Sequence, residues 1–300
     1  MPRHEMHNDP LVICDLDNTL YDWYSYFVPS IYALIASASQ ILDCDEQRII
    51  DDLKIVHRKY QDSEHPYALL ETAIVTSKFP RESARQLVDK LDPAFHAFNA
   101  SRKANLSLFE GVIDTLALLK ESGHTIVAHT ESKTFGAVDR LHRLGLEKFL
   151  SRIYCREEAT TAHPRAEAGS AWLKDFRWDK IVRLPTHELK PNPKILRQIC
   201  ESEGVTPSAA LYIGDSLAKD IWMAKQVGCY AVWAEYGAQP DPDVYDKLVR
   251  ISHWTDEDVA RERAIRKQAA SVKADYVCSR SFREILPALQ IFGRPQRVAG

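Results

Sequence analysis

Beyond Glu110 the sequence alternates short apolar runs with helix-forming stretches, a pattern that closes best as a parallel sheet covered by helices on both faces. Residues 111–132 read as a helix, a Gly123-His124 turn and a strand over 125–129. A helix follows with Phe135, Val138, Leu141 and Leu144 on one side, ending at Gly145, and 152–155 forms a short strand. The alternation resumes with a helix over 193–203, a strand over 210–213, a helix over 217–227 and a strand over 229–234. A last strand over 275–278 and a helix over 282–289 close it. One strand precedes all of this, Leu11-Val-Ile-Cys14, and between it and Gly111 the chain has no glycine. In that tract Ile49, Leu53, Val56 and Tyr60 recur at helical spacing behind Asp43 and Asp45 as N-caps, and further helices are expected over 68–78, 80–91 and 93–103. The expected fold class is therefore α/β: a doubly wound parallel sheet from 1–21 and 107–300, with an all-helical insert over 22–106 after the first strand.

Two segments exceed a compact core. Residues 156–186 are polar, broken by Pro164 and Pro185, with a short helix expected around 166–176. Residues 237–273 carry a Pro-Asp-rich entry and a charged helix over 256–270. Either reads as a substrate loop or a subunit contact, so a homodimer stays open.

Charge narrows the function classes. Lys plus Arg is 39 against 42 for Asp plus Glu, a net charge of -3, which offers no field for a nucleic acid polymer. The six cysteines are scattered without a C-x-x-C pair, as in a reducing compartment. The N-terminus lacks the apolar core of a signal peptide and no stretch reads as a membrane span, so the expectation is a cytoplasmic protein without a membrane partner.

The chemistry begins where the first strand ends. Asp15 and Asp17 stand one residue apart at the tip of an apolar run, and strand alternation puts both on one face, where they repel unless a cation lies between them. Ligands of doubly wound sheets bind outside the carboxyl ends of the strands, and three more polar sites follow strand-like runs or a rigid turn. They are Thr130 after Ile126-Val-Ala-His129, Lys190 in Glu-Leu-Lys-Pro-Asn-Pro, and Gly214-Asp215-Ser-Leu-Ala-Lys-Asp220 after Leu211-Tyr-Ile213. Singly each reads as a cap, a turn or a solvated loop. Jointly they suit a phosphate ester, whose own charge repels nucleophiles, so that catalysis is chiefly neutralisation and positioning. Carboxylates alone worsen that repulsion, whereas Mg2+, which takes a few carboxylates together with water and phosphate oxygens, reverses it.

In this order the four segments resemble the signatures of the haloacid dehalogenase superfamily, whose members are mostly magnesium-dependent phosphatases, and the likeness spans residues 11 to about 290. The resemblance implies Asp15 as the nucleophile that becomes an aspartyl phosphate and Asp17 as the general acid and base, with its main-chain carbonyl on the metal. It further implies Thr130 as a phosphoryl-binding hydroxyl, Lys190 as the compensating cation, Asp215 as a metal ligand, and Asp220 as a second acid that binds the metal or orients Lys190. Haloacid dehalogenases expel a halide, need no proton and lack the second aspartate, so Asp17 favours ester hydrolysis. The helical insert occupies the place of the cap in the branch of phosphoglycolate phosphatase and pyrimidine nucleotidase. The expected activity is thus a Mg2+-dependent phosphatase of a small phosphorylated metabolite such as phosphoglycolate or a nucleoside monophosphate. A sugar-phosphate mutase and a catalytically silent binding protein are the alternatives. Glu131 departs from the pattern, since many relatives have asparagine there.

Weaker signals lie in the insert. His57-Arg58-Lys59-Tyr60, with His65 and Tyr67, reads as a helix end before a substrate-reading patch, and Trp23, Tyr24, Tyr26 and Phe27 as hinge packing before an entrance lining. His4-Glu5-Met6-His7 lacks the spacer of a zinc motif, and no glycine pattern of a nucleotide-binding loop is present.

Overall fold

The computed structural model describes residues 10–65, 67–157, 176–257, 259–260, 264 and 271–293. Seven parallel strands form one sheet in the order β4-β3-β2-β1-β5-β6-β7. They are β1 (Leu11–Cys14), β2 (Ile126–Lys133), β3 (Arg152–Arg156), β4 (Ile181–Leu184), β5 (Ala210–Gly214), β6 (Tyr230–Ala234) and β7 (Tyr276–Cys278). Alternate residues of β1 enter different cores. Val12 and Cys14 join Ile126, Ala128, Leu211 and Ile213 on one face, whereas Leu11 and Ile13 join Val127 and Tyr212 on the other. The first face is covered by helices α6 (Val112–Glu121) and α7 (Thr134–Arg143), the second by α8 (Pro193–Ser202) and α9 (Trp222–Val227). A strand buried on both faces must be apolar throughout, which is why β1 reads as an unbroken apolar run. The strand order reverses at β1, between β2 and β5, so the crevice at the carboxyl ends of these three strands is where a ligand belongs.

The residues between β1 and α6 form their own apolar cluster. Helices α1 (Trp23–Leu42), α2 (Glu46–Tyr60), α3 (Ala73–Lys78), α4 (Ala84–Lys90) and α5 (Asp92–Asn105) bury Phe27, Leu34, Ile35, Ile49, Leu53, Leu87 and Leu91 together. By length and composition α1 suffices to cross a membrane, yet half of it is buried here among the other helices. Asp45 caps α2 as expected, its side chain accepting from Gln47 N–H, but Asp43 instead ends α1 in the left-handed region at φ 51°.

Other expectations shift. Residues 181–184, inside the polar segment read as a substrate loop or subunit contact, form edge strand β4 against β3. Helix α10 (Pro242–Ile251) lies within the segment read as a substrate loop or subunit contact, and its Leu248 and Ile251 are buried in the helical cluster. That face is thus an intramolecular one. Phe135 is 43% exposed, and α7 turns Ala137, Val138 and Leu141 inward together with the charged pair Asp139 and Arg140. Residues 4–7 and most of the helices expected over 166–176 and 256–270 lie outside the described residues.

Candidate active site

The sheet stops at Cys14, and Asp15 N–H still donates to Ile213 O of β5 at 2.9 Å. The chain then turns, with Thr19 and Leu20 N–H donating to Leu16 O and Asn18 in the left-handed region at φ 58°. This turn replaces the strand alternation expected for Asp15 and Asp17. Each carboxylate has a side-chain cation of its own beside it, Lys190 at Asp15 and Arg140 at Asp17.

Asp15 faces the β5 side. Its Oδ1 accepts from Lys190 Nζ at 2.6 Å and its Oδ2 from Thr19 Oγ1 at 3.1 Å. Lys190 Nζ also donates to Asp220 Oδ1 at 2.9 Å, which takes a further bond from Tyr212 Oη at 3.2 Å, while Tyr212 Oη lies 3.2 Å from His129 Nδ1. Asp220 Oδ2 accepts from Ser216 N–H at 3.1 Å. Gly214 makes this possible: a Cβ there would stand 2.4 Å from Asp220 Cγ. Lys190 enters on a loop that Glu131 holds, accepting from Lys190 N–H at 2.9 Å through Oε1 and from Lys219 Nζ at 2.6 Å through Oε2. The residue that departs from the family pattern therefore anchors the cation.

Asp15, Asp215 and Asp220 bring carboxylate oxygens within 4.8 Å of one another. Three acids against one lysine leave an excess of negative charge, and the titration behaviour follows. Burial pushes Asp15 up to about 7, with Lys190 opposing and Asp220 reinforcing. Burial, then Asp220 and Asp15, push Asp215 well above the carboxylate range, and Lys190 rises well above its own because the two acids outweigh its desolvation. Among the described residues no hydrogen bond reaches the Asp215 carboxylate. A hard divalent cation suits this donor set, with Asp15 and Asp215 as ligands, while Asp220 already bonds Lys190, Tyr212 and Ser216.

Asp17 faces the other way. Its Oδ2 accepts from Ser132 Oγ at 2.6 Å and lies 3.4 Å from Thr130 Oγ1, whose oxygen also takes Ser132 N–H at 3.0 Å. Thr130 does not follow β2, as expected, but lies within it, where the register with β3 is irregular between His129 and Lys133. Asp17 Oδ1 has no hydrogen bond and sits 3.3 Å from Nη2 of Arg140, a residue of α7 that is 2% exposed. Arg140 donates through Nε to Tyr21 Oη at 3.0 Å and through Nη1 to Tyr26 Oη at 2.8 Å and Glu64 Oε1 at 2.7 Å, and its Nη2 bonds Ser132 Oγ. Tyr26 and Glu64 belong to the helical insert. Beside them Asp62 meets Lys133 at 2.7 Å, so two acids of residues 61–65 are matched by two cations of the sheet side. Burial pushes Glu64 upward, opposed by Arg140.

All six expected positions thus line one crevice, although the Asp17 carboxylate stands outside the three-acid group. Arg140, Ser132 and Glu64 were not anticipated. No local signal marks them; the nearest is Gly136, one turn before Arg140, where a Cβ would lie 3.3 Å from Nη1. Tyr26, expected to pack the hinge, bonds across it. The tempting basic patch is internally satisfied. Lys59, Tyr60 and His65 converge on Glu71, and His57 Nδ1 donates to Ile251 O at 2.6 Å.

Comparison with known proteins gives consistent relatives. Residues 10–228 match the haloacid dehalogenase-like hydrolases. A glyceraldehyde 3-phosphate phosphatase of Methanopyrus kandleri is 27% identical over 236 residues, 77% of this chain and 85% of the relative. A phosphoglycolate phosphatase of Salmonella paratyphi A is 25% identical, covering 82% of this chain and 92% of its own length. Among solved structures, a 2-haloacid dehalogenase from Pseudomonas syringae superposes with a TM-score of 0.52 at 20% identity, over 94% of this chain and 98% of that one, which speaks to the fold alone.

Proposed function

We propose that this chain, which belongs to the haloacid dehalogenase-like hydrolase family, is a Mg2+-dependent phosphatase of a small phosphorylated metabolite that works through an aspartyl phosphate on Asp15. The observation that carries this reading is the division of the two aspartates: Asp15 joins Asp215, Asp220 and Lys190, while Asp17 is held apart on Arg140 and Ser132. Helices α1–α5 are read as its cap.

Mg2+, held by Asp15, Asp215 and the Asp17 main-chain carbonyl, would supply positive charge to the phosphoryl oxygens. The chain's own groups do the rest. Asp15 is oriented for attack on phosphorus by Thr19, and Lys190 offsets the charge that gathers on the carboxylate and the transferring group. Asp220 and Tyr212 hold Lys190 in place. The Asp17 carboxylate gives a proton to the departing alkoxide and then takes one from the water that cleaves the acyl phosphate. Ser132 and Thr130 hold its Oδ2.

A panel of phosphorylated metabolites assayed with and without Mg2+ tests this, with Asp15→Asn as control. Phosphate release dependent on both the metal and Asp15 is expected. Equal, slow release by wild type and variant would refute it, and conversion of one sugar phosphate into another without free phosphate would select a mutase.

A further inference from the structure

His129 is a buried titratable group to which the proposed mechanism gives no task. It lies in β2 two residues beyond Val127, on the face where Val127, Ile13 and Tyr212 pack together, and it is 3% exposed. A strand row buried under helices calls for apolar side chains, and a polar ring there costs free energy unless it is hydrogen bonded. Register explains the partner it finds. Val127 of β2 and Tyr212 of β5 both pair with Ile13, one on either side of β1, so the step from Val127 to His129 carries the ring toward the end of β1, where Asp15 begins. Its Nδ1 lies 3.2 Å from Tyr212 Oη, and the two rings meet edge to face at 83°.

Proton counting fixes how these groups bond. Asp220 Oδ1 accepts from Lys190 Nζ at 2.9 Å and from Tyr212 Oη at 3.2 Å, so the one hydroxyl proton of Tyr212 goes to the carboxylate. What Tyr212 turns to His129 is therefore a lone pair, and only an N–H can meet it. Burial, reinforced by the Lys190 charge, holds the His129 pKa well below its usual 6.5, so the ring is neutral and carries a single proton. That proton is on Nδ1. The hydroxyl is thus clamped from both sides: His129 gives to it and Asp220 takes from it. Lys190 depends on the clamp. Its Nζ bridges Asp220 Oδ1 and Asp15 Oδ1, at 2.9 and 2.6 Å, and stands 5.5 Å from the centre of the Tyr212 ring. A tyrosine free to turn would loosen Asp220, one of the two acids that aim the cation, and a catalytic group displaced by about 1 Å can cost about 10²-fold in rate.

Resting on the phosphatase reading above, we propose that His129, as its Nδ1–H tautomer, is a positioning residue: it holds the Tyr212 hydroxyl on Asp220, and through Asp220 it holds Lys190 on Asp15. It acts on the reacting groups only through the lysine.

Two substitutions separate a hydrogen bond from packing. His129→Asn keeps an N–H donor near the place of Nδ1 in a smaller side chain, and His129→Leu keeps the volume without the donor. With Mg2+ and the best ester of the panel, His129→Leu is expected to lose about tenfold in kcat at a KM within about twofold of wild type, and His129→Asn to recover most of that loss. Tyr212→Phe should cost about as much, and adding His129→Leu to it should cost little more, because the same path is already cut. Nitrogen NMR of the isotope-labelled chain without substrate should show His129 protonated at Nδ1 and bare at Nε2, and the Lys190 Nζ resonance should shift in His129→Leu and stay in His129→Asn. These spectra need no turnover. Phosphate release no faster than in Asp15→Asn would therefore sink the phosphatase reading, while the spectra still decide the role of His129. A bare Nδ1, a Lys190 resonance unmoved by His129→Leu, additive losses in the double variant, or His129→Asn no more active than His129→Leu in chains with wild-type melting, would overturn the proposal.

Discussion

The two sides of the crevice are built on different principles. On the Asp15 side every group comes from the sheet domain: the ends of β1 and β5, the turn before α9 and the loop before α8. On the Asp17 side the cation comes from α7, and its partners Tyr26 and Glu64 come from the helical insert. Charge is balanced on the first side within the sheet domain, by motifs as far as 175 positions apart in the chain, and on the second by contact between the sheet side and the helical insert. In the proposed mechanism the nucleophile is thus prepared within the sheet domain, whereas the acid is completed by contact with the helical insert.

The strongest way to break this contrast is on the Asp15 side. Asp15→Asn, or chelation of Mg2+ with EDTA, should abolish phosphate release, a loss of about a thousandfold or more, with Mg2+ restoring only the chelated wild type. Asp17→Asn should cost about 10²–10⁴ in kcat by removing proton transfer, and a leaving group of low pKa, such as p-nitrophenolate, should recover much of the loss in a colorimetric assay. Substituting the two buried cations separates the sides further. Lys190→Met and Arg140→Met each leave buried carboxylates unpaired and should cost about 3–5 kcal/mol in urea unfolding. Only Arg140→Met should also raise protease cleavage of residues 61–65, because Arg140, unlike Lys190, joins the insert to the sheet. Leu53→Ala, fully buried in the helical cluster, should lower stability by about 2–5 kcal/mol, and hydrogen exchange should place the loss in α1–α5 before β1.

The smallest effect is a titration. His57 is buried on Ile251 O of α10, and burial holds its pKa below the usual 6.5. The unfolded chain takes up a proton where the folded chain resists it, so the neutral ring's contribution is complete above about pH 6.5 and is lost as pH falls toward the folded value. Each tenfold weakening of proton affinity in the folded chain is worth about 1.4 kcal/mol at most. Urea midpoints at pH 7.5 and 5.5 should therefore diverge more in the wild type than in His57→Gln.

Much of this was legible along the chain. The unbroken apolar run of β1 announces a strand buried on both faces, and Asp15, Lys190 and Asp215 follow strand or turn signals that local sequence supplies. The Asp15-x-Asp17 spacing was legible as chemistry but misleading as geometry, since the turn at Asn18 overrides strand alternation. Strand β4 escaped because an edge strand of four residues with an exposed arginine carries little periodicity. Helix α10 was hidden by its Pro-Asp entry, which is in fact its cap, with Asp241 accepting from Asp243 and Val244 N–H.

What the sequence determined by itself is the doubly wound sheet, the helical insert and the acids and lysine at the strand ends, because backbone periodicity and residues near one another in the chain encode them. What only the tertiary structure decided is that Arg140 and Glu64, 76 positions apart, meet beside Asp17. A buried charge needs a partner in space rather than in sequence, and an arginine in an amphipathic helix reads as solvated until the fold turns it inward.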